Sequence, residues 1–456
     1  MAYGATLIWE SGTININDGT IYTLQNYTPY SNPITDTHVT DNLRLKIVGT
    51  SHAQLQAAVG TIERFLRIAD DWDSNNLRNN PRIYFAPDAT SASWSSEIGK
   101  NSQLLYEDPY EHNWIHNKTV FANIKLERNN YWEGAAIDLT ISNPNGTATS
   151  SDVEVFNCND GYGTSTPLGT AWRHNYLNIS VPGTIEGDLQ SPINMAYGNK
   201  VGTALKSLWI FNQVYQGTAF NANLETNVFS LGTVVGTADY VNYSGGSART
   251  YGIGTTMALF AKGTISSTFG RPEYMALLLA ASNGATSTMQ VRADFINNGI
   301  TVVTGDTVQL TTDYHQIIDI MKIAPVGPTV GYYNGPFEIW LYGKNTAGSS
   351  NIVIDNMWAL PVQGGYRKYT TIGTTIGTAT AGANILYDEE NYKNVNSIYL
   401  SADSGYFYNV MAEGNAINYH PGQNNRLWLV RNDADGRNPS SYGRARFYYY
   451  PRKLKP

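Results

Sequence analysis

The chain has 456 residues and sets 30 Lys+Arg against 37 Asp+Glu, a formal net charge of −7 at pH 7 that excludes a polyelectrolyte and argues against a dedicated nucleic-acid binder. Hydrophobic residues at 42% with 10 Trp exclude a disordered chain. Charged residues make up only 15%, and 32 Tyr with Thr, Asn and Ser fill the difference, which describes a polar, weakly charged surface suited to extensive contact with protein or sugar.

In chain order, residues 1–12 (MAYGATLIWESG) lack a basic leader and a long apolar run, and even apolar segments such as residues 275–281 fall short of a bilayer span. Neither a signal peptide nor membrane insertion is expected. Residues 52–69 read as a helix, because Leu55, Val59, Ile62, Phe65, Leu66 and Ala69 recur at three- and four-residue steps, with Thr50 and Ser51 as N-caps. Elsewhere the pattern is short β-branched and aromatic runs between Gly, Asn and Asp. Strands are predicted over residues 42–48 (NLRLKIV), 82–86 (RIYFA), 120–127 (VFANIKLE), 136–141 (AIDLTI), 176–181 (YLNISV), 337–342 (FEIWLY) and 426–430 (RLWLV). The fold class is therefore all-β with one early helix.

Gly and Pro cluster near residues 185–192 and 361–366, which divides the chain into residues 1–185, 186–365 and 366–456. In the middle part, residues 289–296, 306–310, 314–320 and 351–360 are spaced like successive strands of a sandwich or jelly roll. The repetitive stretch 371–381 (TIGTTIGTATA) has no sustained period and does not read as a solenoid.

Signatures of common enzymes are absent from the sequence: there is no Gly-x-Ser-x-Gly, no His-Glu-x-x-His and no phosphate-cradling glycine loop. His112 and His116 have zinc-like spacing, but Pro109, Asn113 and Trp114 favour a loop or strand over a helix. Asp71, Asp73 and Asn75, and separately Asp433, Asp435 and Gly436, have the alternation of calcium loops, although turn chemistry accounts for both. Glu107, Asp108 and Glu111 read as a solvated acidic loop rather than a glycosidase carboxylate pair. The single cysteine, Cys158, cannot form an intrachain disulfide, and with His174 nearby it still reads first as a small buried hydrophobe. No catalytic residue, metal or cofactor is assigned. Sugars stack on aromatic faces, so Trp209, Tyr332, Tyr333, Trp340 and Trp358 are the glycan-binding candidates, with Trp340 and Trp358 each also explained as inward-facing core.

Three stretches together resemble tail proteins of long-tailed bacteriophages, of the distal-tail or tube-like type. The first is the helix at 52–69, the strand with Tyr84, and residues 120–134 (VFANIKLERNNYWEG) ending in Tyr131 and Trp132. The second, residues 350–361 (SNIVIDNMWALP), is similar to the closing strand of galactose-binding-like jelly rolls; the third pairs residues 420–429 (HPGQNNRLWL) with residues 445–452 (ARFYYYPR). The resemblance implies a ring-forming β-sandwich from residues 1–185 and 366–456, with residues 186–365 as an outer jelly roll. It implies a non-enzymatic virion subunit, made in the host cytoplasm and located in the tail. Expected partners are copies of itself, neighbouring tail proteins and a host surface glycan, with no sequence-specific nucleic acid. The alternatives are a major tail tube or decoration protein, and a monomeric carbohydrate-binding or glycan-processing protein.

Overall fold

A computed structural model describes residues 4–29, 37–71, 80–88, 90–107, 118–142, 153–156, 176–181, 183, 189–201, 205–215, 223–225, 229–230, 234–239, 247–265, 275–282, 288–310, 316–323, 337–361, 364–371, 385–388, 398–402, 405–407, 410–433 and 442–456. These residues form antiparallel sheets and one helix. The fold is an all-β sandwich architecture.

The helix, His52–Asp71, buries each of the six predicted apolar residues and Ala58 beside them. Ser51 is its N-cap, its hydroxyl accepting from the Gln54 amide at 3.2 Å, while the Gln54 side chain accepts in return from the Thr50 amide. The first bond satisfies a donor that the opening helical turn leaves open, and the second ties down the residue before the cap. The helix packs on a core shared by two sheets of the N-terminal unit. One has four strands, in the spatial order Tyr22–Asn26, His38–Val48, Thr119–Asn129 and Gln103–Tyr106; the other begins from Gly4–Trp9 and Arg82–Ala86.

A second core lies between the sheet built on Tyr442–Tyr449 and Asn194–Val201 and the sheet built on Asn424–Asp433 and Leu205–Tyr215. A third lies between two sheets whose strands run from Asn223–Glu225 to Ser350–Pro361 and pair among themselves. These pairings differ from the boundary expected near residue 185. Asn194–Val201 and Leu205–Tyr215 belong with the C-terminal strands, because each is paired along its length with one of them. The residues assigned to a single ring-forming domain likewise contribute to two separate cores.

The predicted strand at 136–141 is also broken. Ile137–Asp138 pairs with Tyr448 and Tyr449 in one sheet, and Thr140–Ser142 pairs with residues 178–180 in the other. The segment turns a sandwich corner, which local alternation does not register.

The inserted third unit contains a two-residue hairpin at Asn298–Gly299, where both φ angles are positive, 49° and 77°. Asn-Gly is the pair that the twist of a type I′ turn selects.

Candidate functional site

The strands His38–Val48 and Thr119–Asn129 alternate cleanly, with Leu43, Leu45, Ile47, Val120, Ile124 and Leu126 facing inward. Asp41 and Arg128 occupy the same inward phase. Arg128 stands opposite Val39 and Asp41 opposite Leu126, so the two are diagonal neighbours and their side chains form a fully buried ion pair. Tyr27 donates its hydroxyl to Asp41 at 2.9 Å, Arg128 donates to the Asn129 carbonyl at 2.8 Å, and its guanidinium lies 4.6 Å from the Trp132 ring centre. Burial, then the Asp41 charge, pushes the Tyr27 phenol well above its ordinary range, although Arg128 opposes this.

A second ionic centre forms around Glu133. Its carboxylate accepts from Arg82 on one oxygen and from Arg452 on the other, the latter at 2.8 and 3.0 Å. Burial alone would raise the Glu133 pKa, but the two guanidinium groups overcome it and hold the carboxyl below the usual glutamate range. Beside it, burial pushes the Tyr131 phenol up to about 12. Held as permanent charges, such carboxylates serve as struts rather than proton donors.

A third cluster joins the second and third cores. Trp209, Phe211, Trp428 and Val430 from the sheet carrying Leu205–Tyr215 meet Ile317 and Trp358 from the inserted unit. Tyr176, Trp428, Phe211 and Tyr366 stand in register across four neighbouring strands, forming an aromatic ladder. At its rim Lys322 lies 5.6 Å from the Tyr366 ring, and Asp319 sits near Lys322, Lys368 and Glu413. Burial raises the Asp319 pKa despite the two lysines.

The glycan candidates separate accordingly. Trp209 and Trp358 are buried together in this junction, and Tyr332 and Tyr333 lie outside the described residues. Trp340 differs from the inward reading, because Ile339 and Leu341 take the core phase and leave it half-buried on the outer face. There Lys262 lies 3.7 Å from its ring centre and Glu338 accepts from its indole N–H at 2.9 Å. Arg292 covers neighbouring Tyr342 in the same way, at 4.5 Å.

Other residues singled out in the sequence fall as follows. Glu107 forms a two-point ion pair with Arg44, which holds its carboxyl low. Asp71 ends the helix. His112, His116, Asp73, Asn75, Asp108, Glu111, Cys158, His174, Asp435 and Gly436 lie outside the described residues. Among the described residues, no group of three or more His, Cys, Asp or Glu side chains could hold a metal ion, and no helix is long and apolar enough to cross a membrane.

Two signals in the sequence, not used in its reading above, could have found these clusters. A charged residue in the inward phase of an alternating strand, as at Asp41 and Arg128, demands a buried partner. An unbroken apolar run such as LWLV at 427–430 marks a strand buried on both faces: Leu427 and Leu429 enter the second core, and Trp428 and Val430 enter the junction.

No family model and no curated protein matches this sequence. Among solved structures, the chain is similar to one from the phage P2 baseplate in its activated conformation with calcium. The TM-score is 0.26 at 8% identity, covering 76% of this chain and 99% of that one. The strontium form of that baseplate matches with the same identity and coverage at a TM-score of 0.25. A chain from infectious bursal disease virus, Gx strain, matches at a TM-score of 0.17 and 9% identity, covering 72% of this chain and 82% of that one. At these scores the likenesses carry no functional argument.

Proposed function

We propose that the chain is a structural subunit of a tailed-phage virion, a distal-tail or tail-tip component that assembles into a ring with copies of itself and with adjoining tail proteins. On this reading it is not an enzyme, and the inserted sandwich is displayed on the outside of the ring.

The observation that supports it is where large apolar side chains remain exposed. Leu105, 51% exposed, lies on an edge strand of the four-stranded N-terminal sheet, and Phe121 shares its outer face. Met411, 52% exposed, and Ile300, 70% exposed, lie on edge strands of two other sheets. Sheet edges with exposed apolar residues invite pairing with another chain. A closed ring needs two different surfaces per subunit, each covered by a neighbour. Charged residues make up only 15% of the chain, which limits how many charges such covering would desolvate.

Sedimentation velocity and negative-stain imaging of the purified chain at micromolar concentration test the reading. Rings or short tubes are expected, and Leu105→Glu with Met411→Glu should shift the population toward single subunits. Isolated molecules that hydrolyse a polysaccharide and show no association would overturn it in favour of a glycan-processing protein.

A further inference from the structure

Among the described residues, Arg452–Lys453 is the strand from residues 366–456 that enters a sheet of the N-terminal unit, with Arg452 opposite Glu133 and Lys453 opposite Trp132. With Tyr450 and Pro451 before it, the attachment is dense for four residues. The Gly134 amide donates to the Pro451 carbonyl at 2.9 Å, the Leu189 amide donates to the Arg452 carbonyl at 3.0 Å, and the Ser191 hydroxyl donates to the Tyr450 carbonyl at 2.6 Å. Arg452 bonds Glu133 and covers the Tyr131 ring at 4.2 Å, while Lys453 covers Trp94 at 4.7 Å. Three stretches far apart in sequence therefore meet at one point: residues 132–134 of the N-terminal unit, residues 189–191 entering the second unit, and residues 450–453 leaving it.

The contact closes within one molecule. Tyr450 and Pro451 alone separate this strand from Tyr442–Tyr449, and three Cα steps reach roughly 10 Å at full extension. That is too short to cross to another copy while Tyr450 stays bonded to Ser191. On its other side, Trp132–Glu133 is paired to the neighbouring strand Trp94–Glu97 through a single residue pair, Ser95 and Glu133. Much of its edge support therefore comes from residues 451–453.

We propose that residues 450–453 are a clasp that fixes the N-terminal unit against the second sandwich, with Glu133 as the group it closes on. Opening the clasp leaves residues 134–136 as a pivot, about which the N-terminal unit turns while both cores stay intact. This holds whether or not the chain is a virion subunit.

Two variants of the whole chain open the clasp by different means. Arg452→Ala removes the guanidinium that reaches Glu133. Gly134→Val leaves every charge in place, but a Cβ there would stand 2.9 Å from the Pro451 ring and 3.1 Å from Trp94, which forces the strands apart. Hydrogen exchange should show the Gly134 region and Leu189 exchanging at least about tenfold faster in both variants. Amides of Thr119–Asn129 and Asn424–Asp433 should keep wild-type rates, and small-angle scattering should show a larger maximum dimension. Unchanged exchange at Leu189 or unchanged scattering would overturn the proposal. Loss of protection through Thr119–Asn129 in Gly134→Val would also overturn it, because the strand would then be part of the core. Gly134→Val carries the same test by itself where Arg452→Ala fails to fold.

Discussion

Replacing Asp41 with alanine strands Arg128 inside the N-terminal unit. Both side chains are fully buried, and Asp41 accepts from two guanidinium nitrogens of Arg128 and from the Tyr27 hydroxyl. Removing one partner of a buried ion pair costs about 3–5 kcal/mol, since the remaining charge keeps its desolvation penalty. The lost Tyr27 hydrogen bond is worth about 1 kcal/mol, but it belongs to the same network and does not add in full. The expected loss is about 4 kcal/mol, which for a unit of this size lowers the melting temperature by roughly 12–15 °C. The double variant Asp41→Leu/Arg128→Met replaces the pair with apolar groups of similar volume and should return to within about 2 kcal/mol of wild type. Urea unfolding followed by hydrogen exchange in the helix His52–Asp71 reads the N-terminal unit directly. A single-variant cost below about 1 kcal/mol, or a double variant as unstable as the single, would refute the reasoning.

Trp358→Ala empties the middle of the junction cluster and should cost about 3–5 kcal/mol; differential scanning calorimetry should show the inserted unit melting earlier than the N-terminal unit, which stays unchanged. Glu133 has a depressed folded pKa, so its contribution is present above the unfolded value of roughly 4.3 and is lost as pH falls through the folded value. Protection factors at Gly134 and Leu189, taken relative to the intrinsic exchange rate at each pH, should fall in acid, and Glu133→Gln should remove that step. Asp319 has the opposite sign: its raised pKa means that its ionisation weakens the junction as pH rises past the ordinary aspartate range. Asp319→Asn should therefore stabilise the protein at neutral pH, as measured by the melting temperature, and a clear loss would count against the assignment. Gly299→Ala places a Cβ at φ +77° in the hairpin turn and should cost about 1–2 kcal/mol, readable in urea melts.

The predicted helix and most predicted strands appear in place because their signals are local. Leu55, Val59 and Ile62 share a helix face whatever the rest of the chain does, and RIYFA at residues 82–86 matches the strand Arg82–Ala86 residue for residue. Trp340 shows where this fails, since an alternating run states that its two phases differ without stating which one faces the core. The phase was settled by Ile339 and Leu341 packing with residues such as Ile352 and Ile354 from the facing sheet. Trp209 and Trp358, 149 positions apart in the numbering, read separately as aromatic candidates for a ligand, and their meeting in one cluster is a property of how two sandwiches are joined.

By itself, the sequence determined an all-β chain with one helix, a weakly charged surface and a fold held by burial without a disulfide, because composition and short-range periodicity carry that information. Tertiary structure decided that Asp41 finds Arg128, that Glu133 is gripped by Arg82 and Arg452, and that the strand Asn424–Asp433 serves two cores at once. The physical reason is common to all three. A buried charge or a doubly buried strand is stable only against a partner, and in an antiparallel fold of long connections that partner lies tens to hundreds of residues away, placed by sheet register rather than by neighbours in the chain.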